Sequence, residues 1–76
     1  MVLDKIIFLL AKFLDVSVSE LSDDTMIFFD YDFEDEDIEV VVNTFNEEFD
    51  IEIDSEEFCN FNTLGEMAEY IESLME

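Results

Sequence analysis

The first fourteen residues carry a helical pattern of apolar positions. Apolar side chains recur there at spacings of three and four, at Val2, Leu3, Ile6, Ile7, Leu9, Leu10, Phe13 and Leu14. This spacing places a broad apolar stripe on one side of a helix and predicts a first helix over residues 2–14. The run IIFLLAKFL within it is too short to cross a bilayer and has no signal-peptide cleavage site, so we expect a cytoplasmic protein.

Residues 15–33 lack any sustained period. Serine and aspartate alternate there with isolated apolar residues, namely Val16, Val18, Leu21, Met26 and Phe28. The pattern predicts a long loop that these side chains pin to the core.

A second predicted helix begins among Asp35 to Asp37, where acidic side chains suit the positive end of the helix dipole. Its apolar positions are Ile38, Val41, Val42, Phe45 and Phe49. The β-branched run IEVVV favours a strand by propensity. The helical spacing nevertheless continues to Phe49, which makes the element too long for a typical strand of about 5 to 6 residues. We therefore predict a helix.

Two capping patterns predict the last two helices. Asp54 and Glu57 form a capping pair at the start of a short helix over residues 55–60. Thr63 and Glu66 form another at the start of a final helix that reaches Leu74. The expected buried stripe of the final helix is Leu64, Met67, Ala68, Ile71 and Leu74. The pattern as a whole predicts an all-α, four-helix domain over residues 1–76, with three longer helices, one short helix and a long first loop.

Composition bounds the function of this domain. A chain of 76 residues has room for one small core, and an apolar fraction of 50% is too high for a disordered chain. Only Lys5 and Lys12 oppose 23 acidic residues, which gives a net charge of −21. Such a chain repels nucleic acids and anionic membranes, and its field favours basic surfaces of other proteins. We expect a monomer that binds neither nucleic acid nor membrane.

The reactive side chains are few. The chain has no histidine, so the usual zinc ligands are missing, and its single cysteine, Cys59, cannot form an internal disulfide. The neighbouring residues of Cys59 include no cation that would lower its pKa, and we predict a buried, unreactive thiol. Acidic side chains alone, without a nearby cation or a glycine-rich turn, do not make a catalytic site, so we do not expect an enzyme.

The stretch FFDYDFEDED, residues 28–37, raises the question of a metal. Asp30, Asp32 and Glu34 alternate as calcium ligands do, but an EF-hand needs glycine at the sixth position and glutamate at the twelfth. Those positions hold Asp35 and Val41, so the EF-hand is excluded. Weak, loose binding of divalent cations at the three acids stays open.

Three blocks of sequence resemble the acyl carrier proteins of fatty-acid and polyketide synthesis. They are FLDVSVSEL at 13–21, EEFDIEI at 47–53 and TLGEMAEYI at 63–71, and their spacing is similar to that of a bacterial carrier protein without a gap. The resemblance covers essentially the whole chain. It implies a four-helix bundle whose second helix starts with a D-S-L motif, where the serine bears 4′-phosphopantetheine.

This chain departs from the family at that motif. Counting back from EEFDIEI places Glu34, Asp35 and Glu36 at D-S-L, so that Asp35 stands at the serine position. A shift of one residue would place Glu34 or Glu36 there instead, and no serine occurs between Ser22 and Ser55. Because attachment needs a hydroxyl nucleophile, we expect 4′-phosphopantetheine to be absent. The family also has apolar residues where this chain has Glu36 and Glu39, which puts an acyl-holding groove in doubt.

The resemblance further implies an acidic docking helix that binds lysine and arginine patches of partner enzymes. The candidate partner-binding residues are Asp35, Glu36, Asp37, Glu39, Glu47 and Glu48. We expect a non-carrying module that binds a basic partner surface, such as that of an acyl-processing enzyme. One alternative is a specialised carrier whose arm is attached at another residue. A second is an acidic mimic or inhibitor that occupies a basic binding site on another protein. A third is that the acids form only a solvated face of the helix.

The aromatic residues before that helix divide into two pairs. Phe28 and Phe33 are expected to pack in the core below the second predicted helix. Phe29 and Tyr31 are candidates for partner contacts, or for a plug in the space of an acyl chain.

Overall fold

Helices make up all the regular secondary structure in residues 2–75, the part of the chain that the computed structural model describes. The α-helices are α1 (Val2–Leu14), α2 (Ile27–Asp30), α3 (Asp35–Phe49), α4 (Ser55–Phe58) and α5 (Leu64–Met75), and a 3₁₀ turn covers Val18–Glu20. The predicted all-helical domain with three longer helices is confirmed. The short α2 lies within the predicted long loop and adds one helix to the expected four.

The core lies where α1, α3 and α5 meet. It contains the predicted apolar stripes, and its most deeply buried side chains are Ile6, Leu10, Ile27, Phe45, Phe58, Leu64, Met67 and Ile71. The β-branched residues Val41 and Val42 are also buried, so tertiary packing has outweighed their strand propensity. Leu74 was wrongly placed in the buried stripe: it is 39% exposed, because the last turn of α5 extends past the core.

The first loop is anchored at three of the five expected residues and at one that was not predicted. Leu21 is buried, and Val16 and Phe28 pack against the core, as predicted, but Val18 and Met26 are exposed. Ile27, which was not predicted as an anchor, is fully buried. The loop is also held by backbone hydrogen bonds to the start of α5. The Leu64 amide donates to the Thr25 carbonyl (3.1 Å), and the Gly65 amide donates to the Asp23 carbonyl (2.9 Å).

Side-chain caps begin the last two helices, as the sequence predicts. Asp54 accepts a hydrogen bond from the Glu56 amide (2.9 Å) at the start of α4. At α5, Thr63 Oγ1 accepts from the Glu66 amide (3.3 Å), while Glu66 Oε1 accepts from the Thr63 amide (3.2 Å). Helix α4 is shorter than predicted: it ends at Phe58, and Cys59 and Asn60 form a turn.

Phenylalanine rings form a continuous chain through the interior. Phe28 contacts both Phe33 and Phe58 edge to face, with centroid distances of 5.5 and 5.7 Å, and Phe58 contacts Phe45 at 5.9 Å. Phe13 extends this chain at one end, where its ring lies 6.0 Å from that of Phe33. Edge-to-face contacts of this kind stabilise a core beyond the area that they bury. The prediction that Phe28 and Phe33 pack against the core is confirmed, and their other ring contacts are with Phe58 of α4 and Phe13 of α1.

Candidate functional site

The first turn of α3 is built entirely from acidic residues. Glu34 precedes the helix, Asp35 is its first residue, and Glu36 and Asp37 follow. The Glu34 amide donates a hydrogen bond to Asp37 Oδ2 (3.0 Å), so Asp37 satisfies a backbone donor at the helix start. Negative side chains in this turn also interact favourably with the helix dipole. Asp35 and Glu36 are exposed, and neither has a hydroxyl group.

The remaining acids of α3 lie along its outer side. Glu39 and Glu47 are exposed, and Glu48 forms an ion pair with Lys5 of α1, with 2.7 Å between Nζ and Oε1. Of the predicted partner-binding residues, Asp35, Glu36, Glu39 and Glu47 therefore present free carboxylates on the surface. Asp37 and Glu48 already have partners within the chain.

An open cleft lies between the start of α3 and helix α4. Its volume is about 290 Å³, and its lining residues are Asp35, Ile38, Glu39, Ser55, Glu56 and Cys59. Three of these residues, Ser55, Glu56 and Cys59, were not predicted from the sequence to belong to this site. These residues follow Asp35 by about twenty positions, and no periodicity in the sequence indicates that α4 packs beside the start of α3.

Cys59 is exposed, so the prediction of a buried thiol is wrong. Phe58, which is 1% exposed, takes the buried position at the end of α4, and Cys59 follows it in the turn beside the cleft. Partial desolvation raises the pKa of the Cys59 thiol, and the negative charge of Asp35 raises it further. A thiol with a raised pKa has less of the reactive thiolate at neutral pH, which agrees with the prediction of low reactivity.

The two aromatic residues of uncertain role differ in position. Phe29 is 74% exposed on α2, so it does not plug the interior. Tyr31 is half-buried and packs against the core. The space inside the bundle is instead occupied by the chain of phenylalanine rings, and the cavity between α1 and α3 has a volume of only about 20 Å³. A cavity of this size holds about one water molecule.

Metal binding at Asp30, Asp32 and Glu34 gains no support from the geometry. Within residues 2–75, no three side chains of histidine, cysteine, aspartate or glutamate are arranged to hold a metal ion. Weak association of divalent cations with the exposed acids stays a prediction.

The serine residues of the chain lie on elements other than α3, and one of them lines the cleft. Ser17, Ser19, Ser22 and Ser73 are exposed on other elements, whereas Ser55 lines the cleft together with Asp35.

Within the described residues, no helix is long and apolar enough to cross a membrane.

Comparison with known families supports the fold. A sequence search of curated proteins finds no significant match. A family model described as the phosphopantetheine attachment site matches residues 4–71, a range that runs from α1 to α5 and includes the cleft. Its members are acyl carrier-like helical domains, in agreement with the bundle seen here. The chain therefore belongs to the phosphopantetheine attachment site family.

Proposed function

We propose that this chain is a carrier-protein relative that bears no phosphopantetheine on α3 and acts as a binding module for a basic protein surface. The observation that carries the proposal is the residue at the first position of α3. The gap-free count from EEFDIEI puts Asp35 where the family has its modified serine, and α3 begins at Asp35. A carboxylate therefore occupies the attachment position in this reading.

The chemistry of attachment supports a non-carrying role. The family's arm is transferred when a serine hydroxyl attacks the pyrophosphate of coenzyme A and forms a stable phosphodiester. Attack by the Asp35 carboxylate would instead form a mixed anhydride, which hydrolyses readily. A carrier that loses its arm in water cannot hold a thioester through a reaction cycle.

The packing of the interior supports the same reading. A carrier that shelters an acyl chain needs an apolar space between its helices. Here Phe28, Phe33, Phe45 and Phe58 pack ring against ring, and the cavity between α1 and α3 has a volume of about 20 Å³. An acyl chain could enter only if this close-packed core opened, which costs free energy.

The acidic surface supports a basic partner. The outer side of α3 presents Glu36, Glu39 and Glu47, and the chain as a whole has a net charge of −21. Such a field accelerates encounter with positively charged surfaces and repels negatively charged ones. In the resembling family the equivalent helix docks on lysine and arginine patches of partner enzymes. We propose that the docking function of this helix is kept although its cargo is lost.

A second candidate function is a carrier whose arm is attached at Ser55. This alternative is favoured by one observation, since Ser55 follows Asp54 at the start of α4 and lines the same cleft as Asp35. It predicts that the chain gains the mass of phosphopantetheine when incubated with coenzyme A and a transferase, and that Ser55→Ala abolishes the gain. The preferred function predicts no gain in either chain.

Competition with a working carrier tests the docking role. A phosphopantetheinyl transferase modifies a normal acyl carrier protein in the presence of increasing amounts of this chain. We expect competitive inhibition, because this chain occupies the transferase's basic docking surface without being modified. The double variant Glu36→Lys/Glu39→Lys is expected to raise the inhibition constant by about tenfold or more, because it reverses two charges that face the partner.

The control is Glu69→Lys/Glu72→Lys on α5, which makes the same change in net charge at two exposed positions with the same spacing. Circular dichroism establishes that both variants fold. Equal effects of the two variants, or no inhibition by the wild-type chain, would count against docking through α3.

A further inference from the structure

Helix α1 carries all the cations of this acidic chain. Lys5 and Lys12 both lie on α1, and Asp4 is the only one of the 23 acidic residues that lies there. Each of the helices α2 to α5 has at least one acidic residue and no cation. The net charge of −21 therefore does not describe the surface of α1.

Three exposed residues of α1 form one ridge on its outer side. Asp4, Phe8 and Lys12 are spaced by four, so their side chains follow one another along the same side of the helix. Phe8 is 53% exposed, and Lys12 Nζ lies 5.6 Å from the centroid of its ring. Asp4 and Lys12 are separated by about 12 Å along the helix axis, so they do not pair with each other. The ridge carries a negative charge, an apolar centre and a positive charge, in that order.

This order of charges is complementary to itself when a second copy of the chain is turned end for end. A twofold axis through Phe8, perpendicular to α1, places the two Phe8 rings opposite each other. The same axis places Lys12 of each copy opposite Asp4 of the other, so two identical ion pairs flank one aromatic contact. Within residues 2–75, Lys12 forms no ion pair in the single chain, and its charge is available for this contact.

The net charge of the chain opposes association of two copies chiefly at low salt. At about 0.01 M ionic strength the Debye length is about 30 Å, comparable with the 29 Å longest dimension of the domain, so all the carboxylates repel a second copy. At about 0.15 M the Debye length is about 8 Å, less than half of the 19 Å shortest dimension. Acids on the far side of the domain are then screened, whereas Lys12 and Asp4 would be in direct contact.

We propose that the chain forms a weak symmetric dimer through the outer side of α1, with Phe8 on the twofold axis and Lys12 paired with Asp4 of the second copy. The monomer expected from the net charge is then the form at low ionic strength. A contact made by one short helix is smaller than the roughly 1,200 Å² of stable interfaces, so the dimer is weak. The inference goes beyond the proposed function, because none of the candidate partner-binding residues belongs to the ridge.

Sedimentation equilibrium of the full chain measures this association. At about 0.15 M sodium chloride we expect reversible dimers whose fraction rises with protein concentration into the millimolar range. At about 0.01 M sodium chloride the same samples are expected to be monomeric, because the repulsion between the two chains is no longer screened.

Exchange of the two ridge charges tests the pairing. Lys12→Asp and Asp4→Lys each place like charges opposite one another, so each is expected to weaken the dimer about tenfold or more. Asp4→Lys also lowers the net negative charge, which would strengthen an association that depended on net charge alone. The double variant Asp4→Lys/Lys12→Asp restores both pairs at unchanged net charge, and its dissociation constant is expected to return to within about threefold of the wild-type value. Circular dichroism establishes that the variants fold.

A matched pair of aromatic variants locates the apolar contact. Phe8→Ala removes the ring on the proposed axis and is expected to weaken the dimer about tenfold. Phe29→Ala removes the same side chain from α2, where it is 74% exposed and outside the ridge. We expect that control to change the dissociation constant less than twofold.

Three outcomes would overturn the inference. The chain could stay monomeric at both ionic strengths, which would leave the ridge without a second copy as its partner. The double variant could fail to restore the dimer, or the two phenylalanine variants could weaken it equally, and either result would indicate association through another surface. Because no transferase or carrier protein is present, failure here leaves the competition experiment intact.

Discussion

The two sides of α3 differ in what they determine. The inner side carries Val41, Val42, Phe45 and Phe49, all buried, while the outer side carries Glu36, Glu39 and Glu47, all exposed. The inner side has the apolar spacing that packs α3 against α1 and α4. The comparison teaches that the fold depends on the inner side of this helix, whereas the function that we propose depends on the acidic side chains at its start and on its outer side.

The largest expected effect concerns the inner side. Phe45 is 1% exposed and contacts the rings of both Phe49 and Phe58. We expect Phe45→Ala to lower the free energy of unfolding by about 3 to 5 kcal/mol, because it removes buried apolar surface and leaves a cavity. Urea denaturation followed by circular dichroism measures this change, and Phe45→Leu provides a milder variant if the alanine variant does not fold.

The control is Phe29→Ala, which removes the same side chain at a position that is 74% exposed. Its expected change is within about 0.5 kcal/mol. Similar losses for the two variants would contradict the assignment of Phe45 to the core and of Phe29 to the surface.

A smaller effect is expected at the end of α3. Asn46 Oδ1 accepts a hydrogen bond from the backbone amide of the buried Ile53 (2.7 Å) and so holds the segment that leads to α4. We expect Asn46→Ala to cost about 1 to 3 kcal/mol, since the amide of Ile53 loses its partner in a partly buried place. Thermal denaturation monitors the loss. The matched variant Asn43→Ala, at an exposed position of the same helix, should change stability little, and an equal loss there would rule out this role for Asn46.

The acidic outer surface makes stability depend on salt. With a net charge of −21, repulsion among the carboxylates weakens the folded state, and salt screens that repulsion. We expect the melting temperature to rise by about 5 °C between low and physiological ionic strength, which corresponds to about 1 kcal/mol for a domain of this size. Differential scanning calorimetry in sodium chloride gives the screening effect. An additional rise in magnesium chloride at the same ionic strength would indicate divalent binding, and a flat midpoint in both salts would contradict the electrostatic account.

The smallest expected effect is that of the ion pair between Lys5 and Glu48. Both side chains are substantially exposed, at 51% and 38%, so solvent screens their attraction. A double-mutant cycle with Lys5→Ala and Glu48→Ala is expected to give a coupling free energy of about 0.2 to 1 kcal/mol. The cycle is needed because Lys5 also lies 6.0 Å from the ring of Phe49, and that contact is lost in the single variant. A coupling free energy above about 2 kcal/mol would contradict the view that the exposed acids of α3 contribute little to the stability of the fold.

The longer helices could be predicted because the signals for them, apolar spacing and capping residues, lie within short stretches of the sequence. Apolar spacing indicated α1 and α3, and the capping pair of Thr63 and Glu66 indicated α5 to within one residue of its observed start and end. The short α2 was missed because four residues are too few to show a helical period. Met26 and Cys59 were wrongly predicted to be buried, and the burial of Ile27 was missed, for a related reason. In irregular segments, burial depends on which of several neighbouring side chains turns inward.

The candidate site was predictable only in part. The acids of α3 could be identified from a single continuous stretch and from its resemblance to a carrier protein's docking helix. The cleft could not be predicted, because it forms between Asp35 and Glu39 on one helix and Ser55, Glu56 and Cys59 on another. That arrangement depends on the packing of Phe58 against Phe45, which brings α4 to α3.

The central claim is that the residue at the start of α3 is what separates this chain from a working carrier. The most direct test is the mass of the intact protein after incubation with coenzyme A and a phosphopantetheinyl transferase, for the wild-type chain and for Asp35→Ser. The account predicts no mass gain for the wild type and the gain of one phosphopantetheine for Asp35→Ser, located at residue 35 by fragmentation. A phosphopantetheine on the wild-type chain, at Ser55 or at any other residue, would contradict it.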